Sequence, residues 1–258
     1  MTTEYRRWRV IGVVATVLLV LLGAGQAWRA LAQQDGSENF RYTQRITALD
    51  LDLQNASARI SPGLDGDVVV GLATRWTVDR PVVTREVVGQ KLRITVRCPD
   101  VFPVSTPCSS SLTIGVPVQT SVTVRGSSAD TKIVGLSGDL NLHAGSGSFE
   151  LDDVTGKVAA QVTSGSVKGK GLASRQVQAQ VTSGSADLSF ISPPDSVSLS
   201  AGSGEVTAVL PRDSTYRIAV STGSGGSDID SGLQDASSPR TITATADSGA
   251  VTIHATPN

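Results

Sequence analysis

The chain is poor in aromatic residues, which make up 4% of its 258 residues, and its one methionine is Met1. A hydrophobic core therefore has to be built from valine, leucine, isoleucine and alanine. Charged residues are also sparse, at 17%, and the formal net charge is −1. A charge this close to zero gives no reason to expect a nucleic-acid partner.

One long apolar run, residues 10–27, contains no charged residue. As an α-helix it extends about 27 Å, which is enough to cross the hydrocarbon core of a bilayer. Arg6, Arg7 and Arg9 come directly before it, and positive charge is retained on the cytoplasmic side. The sequence therefore predicts a single-pass transmembrane helix or signal anchor, with the N-terminus inside and the bulk of the chain outside.

The apolar run divides the chain into segments with different expected environments. The expected segments are a short cytoplasmic tail at residues 1–9, the transmembrane helix at 10–27, a polar spacer at 28–39 and one exported domain at 40–258. A cleaved secretory signal is the alternative, because the small residues Gly25 and Ala27 could serve a signal peptidase. The exported domain is then secreted rather than held at the cell membrane.

The two cysteines, Cys98 and Cys108, lie close together in the exported part. In an exported chain such a pair indicates a structural disulfide. Prolines 99, 103 and 107 keep the intervening loop out of a helix. A metal site is the alternative, but the segment has no histidine or second cysteine pair to complete the ligand set.

A short repeat dominates the second half of the chain. The hexamer QVTSGS occurs at residues 161–166 and again at 180–185, and looser Ser-Gly units surround it. From Gly147 to Gly225, successive Ser-Gly glycines are 18 to 21 residues apart. A period near 20 residues is typical of a solenoid.

The apolar residues show how each repeat folds. Val177, Ala179 and Val181 alternate with polar residues before the Ser-Gly pair, and a second alternation begins at Ala186. Alternation indicates a strand with one buried face. The odd step of five residues from Val181 to Ala186 means that the chain turns a corner while its apolar face stays inside. Glycine permits such a corner because it adopts positive φ without penalty.

These patterns predict an all-β protein, a parallel β-helix or β-solenoid with coils of about 19 residues after the N-terminal helix. Stacked coils would bring Val162 onto Val181 and Gly165 onto Gly184, which explains the repeated hexamer. An antiparallel β-sandwich is the alternative. It also predicts alternation, but it does not predict identical corners at a constant step.

The sequence resembles the bacterial putative-adhesin β-strand-repeat family, a family of unknown function. The resemblance covers about residues 40–255. It rests on ITALDLDLQNASARI at 46–60, on LTIGVPVQTSVTVRG at 112–126 and on the succession of Ser-Gly units. It implies a single-stranded parallel β-helix, often tied to the envelope by one N-terminal helix, with an exposed, adhesive role.

Candidates for catalysis are few. His143 and His254 each follow an inward apolar residue, so both are expected to face solvent. Glu150 and Asp152 resemble the paired carboxylates of a glycosidase, but alternation places both outside the coil, and Asp153 is expected in a turn. Turn-forming and solubilising charge is therefore the favoured interpretation of all three.

A metal site is equally weakly indicated. GSGGSDID at residues 223–230 has some likeness to a calcium-binding β-roll repeat, which needs tandem copies to share each ion, and the sequence has one. We expect no catalytic residue, no metal and no cofactor.

The expected function is that of a non-catalytic, adhesin-like or envelope-scaffold module, whose partner is a cell-envelope protein or polysaccharide. Outward residues such as Gln161, Thr163, Gln178, Gln180 and Thr182 would form a hydrogen-bonding face. The alternative is a polysaccharide-degrading β-helix enzyme, which would need acids and bases clustered in one outer groove.

Overall fold

The computed structural model describes residues 15, 16, 19, 20, 23, 33–63, 66–99 and 108–257. The predicted tail at 1–9 and most of the predicted transmembrane helix at 10–27 lie outside these residues. The described positions within the apolar run are helical. Within the described part of the chain, no helix combines the length and the apolar character needed to span a bilayer.

Apart from those helical positions and a short 3-10 helix at Ser231–Leu233, the described elements are strands, and they join in one 16-stranded sheet. The strands are β1 (Gln34–Tyr42), β2 (Ala48–Pro62), β3 (Val68–Trp76), β4 (Val82–Val88), β5 (Lys91–Arg97), β6 (Cys108–Val116), β7 (Ser121–Ser128), β8 (Thr131–Val134), β9 (Leu140–Asp152), β10 (Val158–Leu172), β11 (Gln176–Phe190), β12 (Ser196–Leu210), β13 (Arg217–Ser224), β14 (Ser227–Ile229), β15 (Thr241–Ser248) and β16 (Val251–Ala255).

The central strands β9, β10, β11 and β12 stack on one another in parallel. Val162 pairs with Val181 and Gly165 with Gly184, so the stacking predicted from the repeated hexamer is confirmed. Equivalent positions meet because parallel neighbours keep the same direction and register. In these coils the solenoid prediction is right and the antiparallel sandwich is wrong.

Each of the strands β9 to β12 bends at its Ser-Gly pair into two arms. In β10, residues 158–162 form the first arm and residues 167–172 the second. Val162 before the corner and Val167 after it are both buried, which confirms the odd step of five. The sequence predicted two separate strands per coil, whereas the structure keeps both arms in one strand.

The N-terminal end departs from the predicted solenoid. β2 pairs in parallel with β5 and β7 along its first arm, and with β6 and β8 along its second. Outside it, β4 runs antiparallel to β5, β3 runs antiparallel to β6, and β1 runs antiparallel to β3. Part of the predicted spacer at 28–39 also differs, because residues 34–39 belong to β1. Antiparallel pairing thus ends the parallel stack.

The last coil departs from chain order. β15 lies between β12 and β13, and it pairs in parallel with both. The inward residues Ile242 and Ala244 of β15 are fully buried, whereas Ile218 and Val220 of β13 are only partly buried. The strand with the more apolar inner face therefore fills the interior position, and β13, which carries Thr222 inward, takes the half-exposed end.

Candidate binding face

The outward side chains of the first arms form one continuous surface, which we call the polar face. Alternation places them outside, opposite the buried aliphatic residues. Across β7, β9 to β12 and the residues directly before β9 and β10, the polar face consists of Ser121, Thr123, Arg125, Asp139, Asn141, His143, Lys157, Ala159, Gln161, Thr163, Gln176, Gln178, Gln180, Thr182, Ser196, Ser198 and Ser200.

Two open grooves lie on the polar face. Groove A, of about 680 Å³, runs past Arg125, His143, Gln161 and Gln180. Groove B, of about 660 Å³, runs past Gln178 and its neighbours nearer the start of each arm. Both have the size of small-ligand sites, and hydroxyl and amide side chains line them together with charged and aliphatic ones.

The four side chains along groove A stand in one row across the coils. Arg125 pairs with His143, His143 with Gln161, and Gln161 with Gln180 in the strand register. The Gln161 Nε2 donates a hydrogen bond of 2.8 Å to Gln180 Oε1. Each glutamine amide keeps further hydrogen-bonding capacity, so the row can bind hydroxyl groups of a ligand.

Groove A ends at a charged cluster centred on Asp50 of β2. Arg125 Nη1 donates to Asp50 Oδ1 at 2.8 Å, and Arg93 donates to Asp50 Oδ2 from Nε at 3.3 Å and from Nη2 at 3.2 Å. The Asp50 side chain is 7% exposed, while the side chains of Arg93 and Arg125 are 52% and 59% exposed. The carboxylate is therefore covered by two arginines that themselves remain in contact with solvent.

The candidate carboxylate pair lies away from the grooves, on the second arms. Lys132 Nζ is 2.6 Å from Glu150 Oε1 and 2.7 Å from Asp152 Oδ2. These hydrogen bonds to Asp152 and Glu150 raise the pKa of Lys132. Asp153 lies just after β9, with a positive φ of 54°. One ammonium bridges both carboxylates, an arrangement that suits surface ion pairing rather than glycoside chemistry.

The two histidines are both at the surface. His143 is exposed and lies in groove A, which its position after an inward leucine predicted. His254 is 46% exposed, and its Nε2 lies 3.8 Å from Asp228 Oδ2. Among the described residues, no group of three or more histidine, cysteine, aspartate or glutamate side chains is placed to hold a metal ion.

Cys98 and Cys108 form a disulfide, with their Cα atoms 5.9 Å apart. The bond joins the end of β5 to the start of β6. Because β5 pairs with the first arm of β2 and β6 with its second arm, the disulfide ties the two sides of the first coil together. It therefore stabilises the end of the stack where the charged cluster lies.

A family comparison matches this architecture. The family described as Toastrack DUF4097 matches residues 46–258. The chain belongs to this family. No curated protein matches the chain.

Solved structures similar to this Toastrack protein cover most of the chain at low identity. A putative adhesin from Bacteroides fragilis has a TM-score of 0.51 at 13% identity, over 86% of this chain and 97% of its own. A putative cell adhesion protein from Clostridium sporogenes has a TM-score of 0.36 at 12% identity, over 86% of this chain and 100% of its own. A putative lipid binding protein from Parabacteroides distasonis has a TM-score of 0.31 at 11% identity, over 86% and 97%. Only the first of these structures has a TM-score high enough for a comparison, and at 13% identity that comparison concerns the fold alone.

The polar face could be predicted from the sequence, whereas the charged cluster could not. Gln161, Gln178 and Gln180 lie where the alternation placed them, exposed on one face. Asp50 lies between Leu49 and Leu51, and this alternation marks it only as an outward position of a strand. Its partner Arg93 is 43 residues away and Arg125 is 75 residues away, so no local pattern connects them.

Proposed function

We propose that this Toastrack protein is a non-catalytic, adhesin-like module of the cell envelope. In this proposal residues 10–27 hold it at the membrane, the β-solenoid lies outside, and the polar face binds an envelope polysaccharide. The observation that carries the proposal is the polar face, whose two grooves carry hydroxyl and amide side chains in rows across the coils, such as Gln161 and Gln180 in groove A and Gln178 and Ser198 in groove B. Such groups match the hydroxyl-rich surface of a polysaccharide.

The membrane part of the proposal rests on the sequence. The uncharged run at 10–27, the arginines before it and a cysteine pair typical of exported chains all favour export. Protease treatment of intact cells, with N-terminal sequencing of the mature protein, tests it. Digestion of the solenoid from outside, with residues 10–27 retained, supports an anchored module. A solenoid that is protected until the membrane is broken would overturn it.

Binding is tested with the full-length chain in detergent micelles, by co-sedimentation with purified envelope polysaccharide. The Gln161→Ala and Gln180→Ala double variant removes the amide pair of groove A, and we expect it to weaken binding. A matched double variant, Ser189→Ala with Thr207→Ala, removes two polar groups from the second arms and should bind normally. Equal affinities of the two double variants would contradict a role for the polar face.

The non-catalytic part is tested with the same polysaccharide. Prolonged incubation should release no shortened products, because Lys132 holds both candidate carboxylates. Product release that is abolished by Asp152→Ala would make the protein an enzyme and overturn this part of the proposal.

A further inference from the structure

In the charged cluster at the end of groove A, one aspartate holds two arginines. Asp50 lies on the middle strand of three, with Arg93 on β5 at one side and Arg125 on β7 at the other. Both of its carboxylate oxygens accept hydrogen bonds from these arginines. Asp50 therefore orients two guanidinium groups while its own charge is covered.

The two arginines keep donors for a ligand. Asp50 engages Nη1 of Arg125 and Nε and Nη2 of Arg93, and a guanidinium group has five N–H donors in a planar fork. The remaining N–H groups belong to side chains that are more than half exposed. A planar fork that is held in place and open to solvent is well suited to bind a carboxylate.

The charged cluster and its surroundings hold three acidic side chains, Asp50, Asp52 and Glu86, and three arginines, Arg93, Arg97 and Arg125. Asp52 pairs with Arg125 in the register of β2 and β7 and also lines groove A. Its Oδ2 lies 3.6 Å from Arg97 Nη2, so a third arginine offsets its charge. Glu86 pairs with Arg93 in the register of β4 and β5 and lines the far side of the cluster. Arg125 is the arginine that also lines groove A, on the side away from Glu86.

We propose that Arg125, held by Asp50 beside Arg93, binds the carboxylate of an acidic polysaccharide whose hydroxyl groups lie along groove A. The inference rests on the proposed function, because it assigns a ligand class to the same face. The row from Arg125 through His143 to Gln161 and Gln180 places the cation at one end of a hydroxyl-binding surface. A uronic-acid polymer offers both groups at once.

The test compares two polymers that share one backbone and differ in whether their carboxyl groups are free or methyl-esterified. Polygalacturonate and its fully methyl-esterified form share one sugar backbone, and only the first carries carboxylates. With full-length protein in micelles, we expect affinity for polygalacturonate to be about tenfold higher, since charge-assisted bonds are the stronger ones. The preference should fall as salt is added.

The variants separate recognition from stability. Arg125→Gln should abolish the preference for polygalacturonate over the esterified polymer. Asp50→Asn should reduce the preference because Asp50 is a positioning residue, and Asp50→Glu should restore part of it. A ratio of affinities is insensitive to a loss of folded protein, since that loss affects both polymers alike. Arg59→Gln, an exposed arginine on the second arm of β2, should keep the full preference.

Each other outcome has a defined meaning. If both polymers bind equally, the polar face binds polysaccharide and the carboxylate site is wrong. If neither binds, the proposed polysaccharide function itself is wrong. Binding to phosphatidylglycerol vesicles but not to polygalacturonate would assign the arginines to a lipid headgroup and overturn the inference.

Discussion

Replacement of Gly184 by alanine tests the central feature of the fold, the close stacking of coils at their corners. Gly184 has a φ of +135°, and a Cβ built on it would lie 1.8 Å from the carbonyl oxygen of Gly165 in the coil below. The same contact recurs at Gly165, Gly204 and Gly249, each against the carbonyl oxygen of a glycine in the adjacent coil. Glycine is thus required at these corners for its φ and also because no space remains for a side chain.

The cost of Gly184→Ala follows from these two effects. A non-glycine residue at such a φ costs about 1–3 kcal/mol. Relief of the contact requires the two coils to separate by more than about 1 Å, which lengthens ladder hydrogen bonds worth about 1 kcal/mol each. We expect the unfolding free energy to fall by roughly 3–5 kcal/mol, and the loss to be concentrated in neighbouring coils because a solenoid couples mainly nearest neighbours.

Urea unfolding followed by far-UV circular dichroism measures the total loss, and hydrogen–deuterium exchange shows where it falls. Gly226→Ala is the matched control, since a Cβ there meets nothing within 4 Å. Gly66→Ala places an alanine at a positive φ of +72°, where a Cβ would meet nothing within 4 Å. This variant therefore measures the cost of the backbone conformation alone. If Gly184→Ala unfolds at the same urea concentration as Gly226→Ala, the tight stacking of the corners is wrong.

Three further predictions concern the core, the disulfide and a buried tyrosine. Val181→Asp should destabilise the protein by several kcal/mol because it buries an unpaired carboxylate, whereas Thr182→Asp, one residue on, should have little effect; equal urea midpoints would contradict the inward and outward assignment. Reduction of the Cys98–Cys108 disulfide should cost about 2–3 kcal/mol, and an unchanged urea midpoint under reductant would show that the bond contributes nothing. Burial raises the pKa of the Tyr216 hydroxyl above its ordinary 10.0, so stability should be fully present below pH 10 and fall as pH rises through the raised pKa. Tyr216→Phe should flatten this alkaline loss in a pH series of unfolding free energies, and an unaltered pH profile would refute the assignment.

The coil could be predicted from the sequence because its determinants are local. Inward and outward positions follow from alternation within one arm, and the corner follows from one glycine and a fixed step. These features lie within about twenty residues of one another, so a single repeat contains them all. The stacking of Val162 on Val181 then follows from the recurrence of the unit.

The ends of the stack could not be predicted in this way. The antiparallel strands β1 and β4 lack the alternation of the central strands, since they read QDGSENFRY and VVTREVV. β3 alternates at Val68, Val70 and Leu72, but an alternating pattern does not specify the direction of a strand. β15, rather than β13, pairs with β12. This order depends on which of the two strands gains more from burial at that position. Ile242 and Ala246 at inward positions outcompete Ile218 and Thr222, because burial favours the more apolar set.

The fold separates the residues that hold it together from those that meet a ligand, with one exception. Gln180 points away from the core, so its replacement alters the polar face while Val181 and Gly184 continue to hold the coil. Effects of such outward variants on binding can therefore be interpreted as effects on binding. Asp50 is the exception, since it lies on an outward position yet is buried beneath two arginines. Its replacement changes stability and recognition together, and for that reason the ratio between charged and esterified polymers, rather than affinity for either one, decides its role.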